Sequence, residues 1–416
     1  MCDLLNAYEK GKLASENFIT ERLTCIQKST DIFKPIKRQS LLTFSTKEIK
    51  GKRLMADKNN NTLKADRNLF GRLLVIAQTR QLDMREVLQF ELGPLPWSLV
   101  IVDGTPVKTN KSVLADLLEK GVEQMQVIPE ESMWIFDDMA VFQSITRMLM
   151  TSVECTELLS KQEEADTKMF LHAKHAADKG YDSIVIKSSD TDVEVLACYF
   201  QNCISSNIII LTGTFSKCRL LNVQSMCAKL GENIFRALPG FHAFTGCDSV
   251  SALSGKGKSK AFGVLTSSVE FSEGLSCLGE TFEEVGEELS KTFERFLCAL
   301  YGYEINNIDE LRFRIFCNAK NIHCHLLPAT KDAMLKHMKR ANFQAKIWKS
   351  ALEHNTVPSP NNHGWIVKND LISINWLDQL PELDALLILI SCSCKACCAN
   401  KKMFMCSTRF ILYRWL

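Results

Sequence analysis

The chain has no apolar run that approaches a membrane span; the longest, around Ala385 to Ile390, is a few residues. It opens without a charged-then-apolar leader. It also has almost no surplus charge, since 50 basic and 48 acidic side chains leave +2. The first two absences point to an intracellular protein, nuclear or cytoplasmic, with no membrane partner. The third excludes a uniformly basic surface, so any contact with nucleic acid must be made by a local patch. Cysteine is plentiful at 17 residues, but the spacing is not that of a small disulfide scaffold, and mostly free thiols are expected.

With 416 residues the chain can bury a sizeable core in one elaborated domain or in two or three. Residues 1–93 read as a helical N-terminal region: Asp3 to Leu23 and Arg67 to Leu92 carry helical spacing, and the charged 50–66 stretch between them reads as a linker. Residues 94–130 form a module in which an apolar run meets the turn Asp103-Gly104, and a helix begins near Asn110 or Ser112. Residues 131–265 alternate strand and helix, with strands at Met133 to Phe136, Ile184 to Ile186 and Ile208 to Leu211. That alternation predicts an α/β domain with a mostly parallel sheet and right-handed crossovers. Residues 266–356 read as helices covering it. In this part Leu327 to Lys349 carries Lys331, Lys336, Lys339, Arg340, Lys346 and Lys349, a pattern that predicts a solvated helix face. Residues 357–416 form a tail with a Cys-rich segment.

Three acidic signatures follow one another in the α/β part: Glu164-Ala-Asp166 opening a helix, Asp190-Thr-Asp192 just after a strand, and Asp248 in Gly246-Cys-Asp248. Each lies where a strand or loop hands over to a helix, the usual place for functional groups in open α/β sheets. Clustered carboxylates repel one another unless a cation compensates them, and hard ions such as Mg²⁺ or Mn²⁺ take oxygen ligands. Two such ions can activate a water and hold the leaving oxygen of a phosphodiester. The plain alternative is that each acid caps its helix, for which Asp and Glu are favoured anyway. The order of all three favours metal. Just beyond, Gly255-Lys256-Gly257-Lys258-Ser259-Lys260-Ala261 taken alone reads as a flexible, solvated turn; the alternative is that it aims backbone N–H groups and three lysines at an anion such as a nucleic-acid backbone. His242, shortly before Asp248, is the histidine expected nearest the acids.

The series E-A-D, S-x-D-T-D-V, G-C-D and G-x-G-x-x-x-A resembles the internal region of the flap-endonuclease (XPG-like) branch of the PIN-like nucleases. The fuller phrases EEADTKMFLHAKHAA, IVIKSSDTDVEVLA and LPGFHAFTGCDSVSALSGKGK are similar to metazoan proteins with that domain, many tied to mobile elements. The resemblance covers Pro94 to Cys398 with gaps. It implies a three-layer PIN-like domain and two Mg²⁺ or Mn²⁺ ions held by Asp137, Glu164, Asp166, Asp190, Asp192 and Asp248, with Asp190 and Asp192 central to hydrolysis. It further implies that Gly255, Lys256, Gly257, Lys258 and Lys260 hold the backbone of a nucleic acid, DNA rather than RNA. By the family pattern Asp137 is the first acid, at the end of its strand, and Asp138 stands where relatives carry Gly.

The chain also departs from the family. The 24 residues between Asp138 and Glu163 have room for one helix-like segment, Val141 to Leu159, and not for the second strand, its aspartate and the substrate-clamping helices of relatives. The departure leaves a nuclease-like scaffold without turnover as the main alternative. A phosphatase of the D-x-D kind, with Asp190 as nucleophile, is a further one; it leaves Glu164 and Asp166 unexplained. Cys392, Cys394, Cys397 and Cys398 have thiolates suited to zinc, but no longer Cys-rich repeat follows them, so zinc is not expected.

Overall fold

A computed structural model of the chain describes residues 83–379, apart from 93–94, 102, 138–163, 214–217, 284, 319–323, 354–355 and 370. The expected helices at Asp3 to Leu23 and Val141 to Leu159, the 50–66 linker, the interval from Asp138 to Glu163 and the cysteines Cys392, Cys394, Cys397 and Cys398 lie outside the described residues. Of the periodic stretch ending at Leu92, the described part forms only the short helix α1, Met84–Val87, capped by the Asp83 carboxylate.

The centre is a four-stranded sheet in the order β1 (Ser132–Phe136), β2 (Ser183–Lys187), β3 (Asn207–Thr212), β4 (Arg219–Asn222). The first three strands run parallel and β4 closes the far edge antiparallel. The fold is therefore α/β with a mostly parallel sheet. β2 and β3 hold the middle because their sequences, SIVIK and NIIILT, are β-branched and apolar on both faces, as a strand covered on both sides requires. Ile184, Ile186, Ile208 and Ile210 are fully buried, each worth about 1.5–3 kcal/mol of apolar transfer. Register aligns Phe136 with Lys187 and Lys187 with Leu211, so the residues leaving β1 and β2 emerge at one edge of the sheet.

Helix α2 is Ser112–Glu119, α3 Ala165–Asp178 and α4 Thr191–Phe200. α3 packs on β1 and β2, and α4 leads from β2 to β3. After β4 come α5 (Val223–Leu230), α6 (Glu232–Phe244), α7 (Lys258–Ser267), α8 (Val269–Cys277), α9 (Glu287–Tyr301), α10 (Ile308–Asn318) and α11 (Lys331–Lys349). α9 is amphipathic as its sequence predicts, burying Phe293, Phe296, Leu297 and Leu300. A small antiparallel hairpin, β5 (Trp365–Lys368) with β6 (Leu371–Ile374), follows. One continuous core runs from Leu99 on the early module to Ala351 past α11.

The expected solvated face of α11 is corrected by the structure. Lys336, Arg340 and Lys349 are buried, together with Ala333, Met338, Ala341, Ala345 and Trp348. The charges are tolerated because they find partners. Lys336 pairs with Asp378, Lys349 with Glu280 at 3.0 Å, and Arg340 donates to the Asn375 carbonyl at 2.8 Å while its guanidinium lies over the Trp376 ring. A helical wheel of charges does not reveal such partners, which come from distant segments.

His337 on α11 is fully buried, donating from Nε2 to the Phe244 carbonyl at 2.8 Å. Burial, reinforced by the Arg340 charge, lowers its pKa from 6.5 to about 3. The unfolded chain then binds the proton that the folded chain refuses, so stability is full above pH 6.5 and is lost as pH falls from there toward 3. Between pH 7 and pH 5 this histidine should remove on the order of 1–2 kcal/mol. Urea titrations should show the gap between wild type and His337→Gln narrowing at pH 5; a gap independent of pH would refute the assignment.

Candidate metal centre

The edge where β1 and β2 end carries a set of carboxylates. Asp137 follows β1, and its N–H extends the ladder to the Lys187 carbonyl at 3.1 Å. Ser188, buried just past β2, donates from Oγ to Asp137 Oδ2 at 3.1 Å and accepts the N–H of Asp190 at 3.1 Å. One hydroxyl thus ties the two strand ends together. Asp190 caps α4, accepting the N–H of Asp192 at 2.9 Å, as a capping role predicts. Glu164 occupies the same position ahead of α3, yet its carboxylate makes no cap bond. It turns across to α11, where Gln344 Nε2 meets Oε1 and Trp348 Nε1 meets Oε2, each at 2.8 Å. A caps-only account therefore covers Asp190 and fails for Glu164.

Asp248 arrives on a loop held from the early module. Gly246 begins it at φ +106°, where a Cβ would lie 2.6 Å from Ala252, so only glycine makes this turn without displacement. Two backbone bonds of 2.7 Å, Ala252 N–H to the Val107 carbonyl and Ser254 N–H to the Ser98 carbonyl, stitch the loop to residues 98–107. Asp103-Gly104 is the turn expected there, with Asp103 Oδ1 accepting the Thr105 N–H. The same stitching delivers Lys111, the residue before α2, to the acids.

Lys111 Nζ lies 2.9 Å from Asp190, 3.1 Å from Asp192 and 3.0 Å from Asp248. Burial works against its charge, but the Asp192 charge and hydrogen bonds to Asp190 and Asp248 outweigh it and hold the ammonium well above the ordinary lysine range. Asp192 is 5% exposed and accepts from His242 Nε2 at 2.8 Å. Burial opposes its ionisation; the bonds from His242 and Lys111 nevertheless keep it well below the usual carboxylate range. His242 is fully buried, and burial with the nearby Lys258 charge lowers its pKa to about 4, so a neutral ring donates to an ionised Asp192. Asp166 has its pKa pushed up to about 7 by burial and then by the charges of Asp190, Asp192 and Glu164. Glu164 is raised by burial too, against the two bonds from α11.

The sequence-identified acids thus fall into one neighbourhood: Asp190, Asp192 and Asp248 share Lys111, Asp137 joins through Ser188, and Glu164 and Asp166 feel the charges of the others. Their centre is an ammonium rather than an open cage. Among the described residues no three or more His, Cys, Asp or Glu side chains are arrayed to hold one ion. Lys111, Ser188 and Gln344 were not legible as site residues, because nothing in their local sequence distinguishes them from other lysines, serines and glutamines.

The lysine loop is corrected in part. Lys258, expected on a nucleic-acid backbone, is 1% exposed and donates to Thr245 Oγ1 at 2.9 Å and to the His242 carbonyl at 3.3 Å. Burial lowers its pKa to about 7. It braces α6 from the start of α7 and is unavailable to a phosphate. Lys256 lies over the Tyr301 ring, 3.6 Å from its centre, half-buried. Lys260, Gly255 and Gly257 are exposed. Gly257 precedes α7 with no side-chain cap, which leaves the first N–H groups of that helix without a capping side chain. No helix among the described residues is long and apolar enough to cross a membrane. No family model, curated protein or solved structure matches the chain.

Proposed function

We propose that this chain is a divalent-metal-dependent nuclease-like protein that hydrolyses phosphodiester bonds of nucleic acid on a PIN-like, flap-endonuclease-type α/β domain. The observation that carries the reading is the convergence of the Asp190–Asp192 pair and the sequence-distant Asp248 on one cation at the carboxyl ends of parallel strands. In donor chemistry, though not in their present spacing, the acids suit a hard ion: all offer carboxylate oxygens, and three of them share one ammonium. Asp166 lies among them, its pKa raised to about 7 first by burial and then by the charges of Asp190, Asp192 and Glu164.

Asp137, Glu164, Asp166, Asp190, Asp192 and Asp248 would hold one or two Mg²⁺ or Mn²⁺ ions. Bound there, such an ion supplies polarisation of a phosphate oxygen and a water acidic enough to attack at neutral pH. His242 keeps Asp192 ionised and oriented without adding charge. The exposed Gly255, Gly257 and Lys260, with Lys256 at their edge, are the surface offered to a DNA backbone. Purified chain should cleave labelled single-stranded, duplex or flap DNA, or RNA, with Mg²⁺ or Mn²⁺ and stop on chelation. Absence of cutting while Mn²⁺ binds would reject turnover.

Lys111 favours a second reading, a scaffold of the same fold without turnover, because its ammonium already compensates three of the acids. Lys111→Met separates the two. An ammonium and a divalent ion about 4 Å apart repel by about 2 kcal/mol even at the dielectric of water, equivalent to about 30-fold in affinity. Calorimetric titration should therefore find Lys111→Met binding Mn²⁺ at least ~30-fold more tightly than wild type. Mn²⁺ binding found in Lys111→Met and absent in wild type supports the scaffold; equal affinities would show that ammonium and ion do not compete.

A further inference from the structure

We infer that Gln344 and Trp348, on α11 and 180 and 184 residues beyond Glu164 in sequence, are positioning residues of the metal centre, and that their target is Glu164. The inference rests on the metal-dependent reading above. Both are buried and lie four residues apart, hence on one face of α11. Gln344 Nε2 and Trp348 Nε1 each take one oxygen of Glu164 at 2.8 Å, which fixes the carboxylate plane and leaves a lone pair on each oxygen free.

The same helix face reaches two further acids. Trp348 stacks on His242, ring centres 5.6 Å apart at 25°, and His242 donates to Asp192. Gln344 Oε1 accepts from Ser249 Oγ at 2.7 Å, beside Asp248. Both donors to Glu164 are uncharged groups, an amide and an indole. Lys111 offsets the charge of the carboxylates it touches, whereas the amide and the indole orient Glu164 without adding a charge of their own.

The test measures Mn²⁺ affinity by electron paramagnetic resonance on wild type, Gln344→Met and Trp348→Phe, with melting temperature without metal measured in parallel. Trp348→Phe keeps an aromatic ring beside His242 but removes the N–H together with one ring of the indole, so its melting temperature is read beside its Mn²⁺ affinity. Each single change should weaken Mn²⁺ binding about 10-fold, within the 10–100-fold range for outer ligand-orienting groups. Variants that melt earlier but bind Mn²⁺ as tightly as wild type would overturn the inference and leave the two residues as packing. Wild type that binds no Mn²⁺ would instead remove the metal reading itself, and this inference with it. Should Trp348→Phe fail to fold, Gln344→Met decides, since it exchanges one amide for a side chain of similar volume.

Discussion

With Asp190 and Asp192 replaced together by asparagine, metal-dependent cleavage should fall by about 10³-fold or more, equivalent to some 4 kcal/mol of barrier, while the chain stays folded. The fold should survive because asparagine has the shape of aspartate and keeps an acceptor oxygen. Position 190 can still cap α4, and position 192 can still accept from His242. The charge is lost at the place where it is concentrated. Asp192, 5% exposed and held ionised, is the anion that Lys111 and His242 both serve, and Asp190 and Asp192 make up two of the three carboxylates on Lys111. The double change should also lower the Lys111 pKa toward that of an ordinary lysine, which titration of a labelled lysine reads independently of turnover. A D-x-D phosphatase with Asp190 as nucleophile makes a different forecast: Asp190→Asn alone is as damaging as the pair, and phosphomonoesters rather than polymers are the substrates. Cleavage retained within 10-fold in the folded double variant would leave these acids as a cap and a salt bridge.

The parts of this molecule that were legible in the sequence are those governed by local chemistry. Short β-branched runs such as Ile208 to Leu211 read as strands buried on both faces, Asp190 caps its helix, and Asp103-Gly104 turns. The acid series lay open for the same reason, since each member stands at a junction that local signals mark. The remainder depends on what arrives from elsewhere in the chain. Lys258 reads as a surface lysine in Gly-Lys-Gly-Lys; its burial follows from Thr245 and the His242 carbonyl, which α6 brings to it. The charges of α11 read as a solvated face because Asp378, Glu280 and the Asn375 carbonyl, which absorb them, lie outside the helix. Lys111 is one lysine among many until the 247–254 loop is bonded to residues 98–107. Long-range pairing of polar groups leaves no periodic trace, so hydrophobic patterning finds the core and misses these contacts.

Gly279→Ala should cost about 3–4 kcal/mol, the sum of about 1 kcal/mol for a left-handed backbone and a few kcal/mol of overpacking, and lower the melting temperature by roughly 5 °C. Gly279 follows α8 at φ +82°, and an added Cβ would lie 2.5 Å from the Ala345 carbonyl carbon and 2.6 Å from the Lys346 nitrogen. Those are backbone atoms of α11, so the clash is relieved only by moving one chain away from the other. Asn342 of α11 resists that movement, accepting the Gly279 N–H at 2.7 Å and donating to the Thr281 carbonyl at 2.9 Å. Gly263→Ala is the matched control, for Gly263 lies inside α7 with nothing within 4 Å of its added Cβ, and alanine there should stabilise by about 0.5–1 kcal/mol. The displaced stretch contains Gln344 and leads directly to Trp348, so a shift of α11 loosens both bonds to Glu164. Loss of stability and loss of Mn²⁺ affinity should therefore appear together in Gly279→Ala and in neither respect in Gly263→Ala. A Gly279→Ala protein that melts early yet binds Mn²⁺ normally would show that the turn after α8 braces the fold without bracing the acids.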